Sequence, residues 1–251
     1  MWPAAFLDGE QALCMLAVFL AACVRGYAGF GFSAISIGLI TLWRAPSEIV
    51  PIVFVLEIPA SLLLLREALR TYSQAWMRPL IGGSLIGIPV GVGLLVSLQG
   101  AWLQLVVSAC IFMAALAVRL GWHPQADDTP GLRWATGLVS GVLNGIAALG
   151  GMACAVMLAS VTIAPQALRA TLTLLFLFTD AFGLTLAWYA GLVRADMLGT
   201  AAVWLLPLAL GIWLGARFFH NSDLSLFRNR VFTLLILLGA VGMGKGAWGL
   251  L

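Results

Sequence analysis

The chain has 251 residues, of which 62% are hydrophobic and 9% charged, and its mean hydropathy is +1.06. These values exclude a soluble globular domain and predict a polytopic α-helical membrane protein embedded in a lipid bilayer. The formal net charge of +3 is small and comes from arginines in the links between apolar segments, so it does not predict nucleic-acid binding.

Eight apolar segments follow one another along the chain, and six of them have the length of one membrane-spanning helix. They cover residues 11–43, 47–65, 76–98, 101–120, 133–163, 166–190, 196–216 and 229–249. A polar linker at 122–132 separates the first four segments from the last four. We therefore predict an N-terminal transmembrane repeat over 1–121 and a C-terminal transmembrane repeat over 133–251.

The first and fifth segments are the longest, and glycines interrupt both of them. When Pro46 is aligned with Pro165, Arg25 of the first segment falls on Asn144 of the fifth, 119 residues later. This alignment also brings glycines together: Gly26 with Gly145 and Gly31 with Gly150. After an insertion of one residue in the second half, it also places Gly91 on Gly211. Matching breaks in two halves indicate a duplication and point to the substrate site of a transporter.

Two membrane topologies fit these segments. If all eight cross the membrane, with the first and fifth merely kinked, the basic residues of the links divide seven against five and leave the orientation open. If the first and fifth segments are re-entrant hairpins, each half is one hairpin plus three transmembrane helices, and the two halves are inverted. We favour the inverted hairpins because the half-segments 11–24 and 30–43 are too short to cross singly.

The distribution of basic residues also favours the hairpins, because nine basic residues then lie on one side of the membrane and three on the other. The nine that share one side are Arg66, Arg70, Arg78, Arg119, Arg133, Arg169, Arg217, Arg228 and Arg230. The positive-inside rule makes that side cytoplasmic and places both termini outside the cytoplasm.

Arg25 lies deep within the first segment, where a permanent charge needs a partner or a water-lined cavity. We expect its guanidinium to bind an anionic substrate, since it pairs with carboxylate or sulfonate oxygens as a fork. Backbone N–H groups and the start of a helix near Phe32 would complete the site. The predicted substrate-binding residues of this half are Arg25, Gly26, Gly29, Gly31 and Ser33. The alternative is that Arg25 caps the first half-helix by donating to its last carbonyls.

Asn144 occupies the equivalent position in the second half. Its amide would complete the site from the opposite repeat, together with Gly145, Gly150 and Gly151. The alternative role is a hydrogen bond that only joins two helices.

Glu57 and Asp180 lie near the centres of the second and sixth segments, and the alignment places them one turn apart in equivalent helices. Burial disfavours the charged form of a carboxylate, so acids in such positions can exchange protons. We predict that both act in proton coupling or gating. The alternative is that either acid pairs with Arg25 in a neutral cluster.

Several classes of site are not predicted. His123 and His220 lie in links, which argues against an intramembrane Ser–His hydrolase, and no Walker motif or potassium-channel filter is present. Cysteines 14, 23, 110 and 154 lie in apolar segments without a CxxC motif, so we expect no disulfide and no metal site. We also expect no cofactor and no enzyme activity. Residues 20–23 have the appearance of a lipoprotein cleavage site, but no basic residue precedes them, and we expect no cleavage.

Two glycine motifs resemble the TauE/SafE family of membrane transporters. They are Gly26-Tyr-Ala-Gly29-Phe-Gly31-Phe-Ser33, followed by Pro46, and Gly141-Val-Leu-Asn144-Gly145, leading to Gly150-Gly151 and Pro165. The resemblance covers nearly the whole chain, although Phe30 and Phe32 interrupt the glycine run expected in the first half. It implies anion movement across the bacterial inner membrane, with sulfite, sulfoacetate and other organosulfonates as substrates.

We therefore expect a proton-coupled secondary transporter for a small anion, a multi-pass protein of the bacterial inner membrane whose inverted halves rock to switch access. Its partners would be the anion, protons and lipid, and the sequence leaves a homodimer open. The alternatives are a passive anion channel of the same architecture and a membrane assembly partner that transports nothing.

Overall fold

The computed structural model describes residues 9–98, 100–121, 128–158, 164–218 and 224–250, and within these ranges every regular element is an α-helix. The helices are α1 (Gly9–Ala28), α2 (Phe32–Ile40), α3 (Pro46–Thr71), α4 (Gln74–Ser97), α5 (Gly100–Arg119), α6 (Pro130–Ala147), α7 (Gly150–Leu158), α8 (Pro165–Tyr189), α9 (Ala195–Phe218) and α10 (Leu224–Trp248). Seven of them, α1, α3, α4, α5, α8, α9 and α10, are long and apolar enough to cross a membrane. The predicted all-α, multi-pass membrane protein is confirmed.

Both long segments are broken into a longer and a shorter helix. In the first, α1 has 20 residues and α2 has nine; in the fifth, α6 has 18 and α7 has nine. The backbone turns at left-handed residues: Gly29 and Gly31, with φ of 82° and 95°, and Ala148, with φ of 53°. Ala148 is the residue that the alignment places on Gly29, so both breaks are built at the same position.

One expectation about these helices is wrong. The half-segment 11–24 belongs to a helix that reaches Ala28, and its 20 residues are enough to cross a membrane. Gly26 lies within this helix and lets it pack tightly on α9, because a Cβ on Gly26 would collide with the backbone at Ile212 and Ala216. The second half-segment forms the short α2, as expected.

The two ends of the first broken segment lie side by side. Arg44, which follows α2, places its Nε 2.5 Å from Oε1 of Glu10 in the first turn of α1. Between these ends, α1 and α2 pack against each other along the hairpin. The chain therefore enters α3 from the end of the molecule where α1 begins.

The second broken segment opens at the other end of α3. Near the start of α6, Arg133 donates from Nη1 to the carbonyl oxygen of Ala75 at 3.0 Å. Two residues before Ala75, the backbone N–H of Ser73 donates to Oγ1 of Thr171 in α8 at 2.9 Å. Since Ser73 lies just after α3 and Arg44 lies just before it, the two hairpins open at opposite ends of this helix.

Helix packing repeats between the halves. α4 packs along α6 as α1 packs along α9, while α3 pairs with α8 and α5 with α10. A Cβ on Gly87 would collide with the carbonyl of Leu138, and one on Gly211 with the carbonyl of Phe19, the residue equivalent to Leu138. Gly87 and Gly211 are therefore counterparts, and the predicted pairing of Gly91 with Gly211 is wrong by one turn. The sequence could not show this, because glycine-rich apolar segments align equally well one turn apart.

The centre of the molecule is formed by α3 and α8, which have the largest buried shares of the seven long helices. Large apolar side chains cover the outside, among them Leu62, Ile86, Leu206 and Val241, each more than half exposed. Such a surface is what contact with lipid requires. Part of the predicted linker 122–132, and both histidines, lie outside the described residues.

Candidate functional site

Arg25 lies in the last turn of α1 and is fully buried. Its Nη2 lies 3.2 Å from Oε2 of Glu57 and donates to Oγ of Ser61 at 2.9 Å. Its Nη1 donates to the carbonyl oxygen of Gly29 at 3.0 Å, and its guanidinium lies over the ring of Phe176, 4.3 Å from the centroid. The arginine thus pairs with a carboxylate and, at the same time, binds the backbone just after its own helix.

Glu57 connects Arg25 to the start of α2. Its Oε1 accepts a hydrogen bond of 2.5 Å from Oγ of Ser33, in the first turn of that helix. The carboxylate is therefore held between a guanidinium and a hydroxyl at a helix N-terminus, a position where negative charge is favoured.

Asp180 is paired with the second hairpin. Nδ2 of Asn144 donates to its Oδ1 at 2.8 Å, and the Asn144 Oδ1 accepts from the backbone N–H of Gly150 at 3.3 Å. The other carboxyl oxygen, Oδ2, is buried and has no hydrogen-bond partner among the described residues. A charged carboxylate in such a place is costly, which makes Asp180 a candidate for carrying a proton.

The tips of both hairpins face one small cavity between the halves. Gly31 and Ser33 line it from the first tip, Gly151 from the second, and Glu57 and Phe176 from the central helices. Its volume of about 10 Å³ leaves room for roughly one water molecule. The first turns of α2 and α7 both border this space, and N–H groups in a first helical turn have no partner within the helix.

The predicted glycines divide into two groups. Gly26 and Gly145 pack against the backbones of α9 and α4, so they allow close helix approach. Gly31 and Gly151 line the cavity, while a Cβ on Gly150 would press on Ser140 and Asn144. A Cβ on Gly29 would collide with the side chain of Arg169.

Three residues of this region are not among the predicted site candidates: Ser61, which accepts a hydrogen bond from Arg25, Phe176 and Arg169. Phe176 enters the sequence alignment only as the partner of Glu57, yet its ring stacks on Arg25. Arg169 reads as a link residue, but it is 7% exposed and its Nη2 donates to the carbonyl oxygen of Gly26 at 2.8 Å. Its place one turn inside an apolar helix is the signal that could have identified it. Among the described residues, no three His, Cys, Asp or Glu side chains are grouped as a metal site would need.

The chain is similar to a known family of proteins. A family model described as "Sulfite exporter TauE/SafE" matches residues 14–242, which is most of the chain. No curated protein and no solved structure matches significantly.

Proposed function

The chain belongs to the sulfite exporter TauE/SafE family, and we propose that it moves sulfite or an organosulfonate across the bacterial inner membrane together with a proton. The observation that carries this proposal is the position of Glu57. Its carboxylate is held by Arg25 at 3.2 Å and by Ser33 at 2.5 Å, between the two hairpin tips.

The substrate anion would take the place of the Glu57 carboxylate. Arg25 offers a fork of N–H donors that matches the oxygens of sulfite or a sulfonate. Ser33 adds a hydroxyl, and the first turns of α2 and α7 add backbone N–H groups that favour an anion. Asn144 would orient the second tip through its bonds to Gly150 and Asp180.

Charge balance supplies the reason for proton coupling. Arg25 and Glu57 neutralise each other in a fully buried site. If an anion takes the place of Glu57, the displaced carboxylate is left without a cation, and a proton restores neutrality. Asp180, with one oxygen lacking a hydrogen-bond partner among the described residues, is a second group that can hold this proton.

The proposed architecture is a pair of inverted repeats, 1–121 and 133–251, each a hairpin plus three crossings. It is supported by the opening of the hairpins at opposite ends of α3 and by the nine-against-three division of basic residues. Rocking of the halves about α3 and α8 would expose Arg25, Glu57 and Ser33, the Arg25 cluster, to each side in turn. The small cavity, with room for about one water, favours such alternation over an open channel.

The test is transport by the purified chain in proteoliposomes. We expect uptake of radiolabelled sulfite to rise with an imposed pH gradient and with sulfite on the opposite side, since a channel gives no such counterflow. Arg25→Ala should abolish both responses, whereas Arg70→Ala, at an exposed arginine, should leave them intact. Wild-type vesicles that move no sulfite or sulfonate, or an Arg25→Ala variant with normal uptake, would contradict the proposal.

A further inference from the structure

A line of facing side chains joins the Arg25 cluster to the end of the protein where the second hairpin opens. One face of α8, at spacings of three and four residues, carries Arg169, Thr173, Phe176 and Asp180. The facing side of α3, with the same spacings, carries Glu57, Ser61, Leu64 and Ala68. Arg25 contacts Ser61 and Phe176 at the inner end, and Arg169 lies at the outer end.

Arg169 holds the turn of α1 that also carries Arg25. Its Nη2 donates to the carbonyl oxygen of Gly26 at 2.8 Å, and its side chain lies where a Cβ on Gly29 would be. Its Nη1 is 3.8 Å from Oε1 of Glu67, whose side chain is 62% exposed. An ion pair this long, with one exposed partner, contributes little stability.

A second small cavity lies beside Arg169. Glu67 and Thr71 line it from α3, and Gln166 and Thr173 from α8. Because Glu67, Thr71 and Gln166 are exposed, the cavity lies at the surface of the protein. An anion arriving from water on this face would meet Arg169 before it reached Arg25.

We propose that Arg169 is a second, outer binding residue for the oxyanion, which receives it at this face and passes it along the α3–α8 line to Arg25. The anion displaces the exposed Glu67 from the guanidinium. When Arg169 turns toward the anion it releases the Gly26 carbonyl, which frees the last turn of α1 to move. This inference rests on the proposed function of the Arg25 cluster.

The experiment measures radiolabelled sulfite flux in inside-out and right-side-out membrane vesicles that contain the full chain. In Arg169→Gln we expect the KM at the Arg169 face to rise about tenfold, because a charged donor is replaced by a neutral one. The KM at the opposite face should stay close to the wild-type value. In Glu67→Gln the KM at the Arg169 face should fall, because a competing carboxylate is removed. Arg70→Gln is the control for loss of surface charge at the same end of α3.

The opposite signs of the two variants distinguish binding from structure. If Arg169 only held the last turn of α1 through the Gly26 carbonyl, Arg169→Gln would impair transport at both faces alike and Glu67→Gln would leave the KM unchanged, and that result would overturn the inference. An Arg169→Gln variant with the same KM values as Arg70→Gln would also overturn the inference. If Arg169→Gln does not fold, Glu67→Gln decides alone: an unchanged or raised KM counts against the inference. Wild-type vesicles without any sulfite flux would instead contradict the proposed function itself.

Discussion

Arg25 and Asn144 donate hydrogen bonds to equivalent positions of the two central helices, Ser61 in α3 and Asp180 in α8. Arg25 Nη2 donates to Ser61 at 2.9 Å, and Asn144 Nδ2 donates to Asp180 at 2.8 Å, each across 36 residues of sequence. The two halves therefore use one hydrogen-bond geometry with different chemistry. One half places a cation beside a hydroxyl, and the other places an amide beside a carboxyl group.

Replacing Asp180 by Asn should separate anion exchange from proton coupling. An Asn side chain keeps an oxygen that can accept from Asn144, so the fold should persist. We expect sulfite counterflow to continue while stimulation by a pH gradient disappears, as measured in proteoliposomes. Asp196→Asn, at an exposed acid, is the control. A gradient response that survives in Asp180→Asn would exclude Asp180 as the proton carrier.

Glu57→Gln should lower the stability of the protein and increase the stabilisation that sulfite gives it. Removing one partner of a buried ion pair costs about 3 to 5 kcal/mol, because the Arg25 charge is left uncompensated. Thermal unfolding in detergent should show a lower Tm without sulfite and a larger rise with sulfite than in the wild type. The double variant Arg25→Gln/Glu57→Gln should regain stability and lose the response. A Glu57→Gln variant that sulfite does not stabilise would count against anion binding at Arg25.

Two glycines of α4 provide a matched test of helix packing. A Cβ on Gly91 would collide with the carbonyl of Val142, whereas Gly93 has nothing within 4 Å. Gly91→Ala should therefore lower the free energy of unfolding by about 1 to 3 kcal/mol through overpacking. Gly93→Ala should be neutral or raise it by up to about 1 kcal/mol, since alanine favours the helix. Equal Tm values for the two variants would contradict this packing.

The contact between the first hairpin break and Arg169 can be measured at Gly29. Gly29→Ala introduces a left-handed alanine and a collision with Arg169, whereas Gly100→Ala introduces only the left-handed alanine, because its surroundings are open. The backbone cost is about 1 to 2 kcal/mol at each site. Gly29→Ala should lower the Tm further than Gly100→Ala, and the difference measures the contact with Arg169. Equal losses of Tm would show that this contact has no effect on stability.

Single-cysteine labelling tests the inverted topology. With the native cysteines replaced, Arg194→Cys and Arg70→Cys should react with an impermeant maleimide from opposite sides of the membrane. Eight plain crossings would place both positions on the same side. Both side chains are exposed, so access to the reagent does not depend on local opening.

Much of the fold could be predicted from sequence because hydrocarbon imposes strict local rules. Apolar length marks the crossings, and Gly29, Gly31 and Pro46 mark a break and a helix start. The register that relates α4 to α9 could not be predicted, since glycine-rich segments align equally well one turn apart. The packing of Gly87 and Gly211 against equivalent carbonyls decides that register.

The sequence by itself determined the membrane class, the family resemblance and the two breaks, because hydrophobicity and backbone freedom are properties of short stretches of chain. It also marked Arg25, Glu57 and Asp180 as groups that need partners in an apolar setting. Only the tertiary structure decided the pairing: Glu57 with Arg25, Asp180 with Asn144, and Arg169 turned inward onto Gly26. These pairings depend on which helices pack together and on how far each is shifted along its neighbour. Contacts between residues distant in sequence determine both.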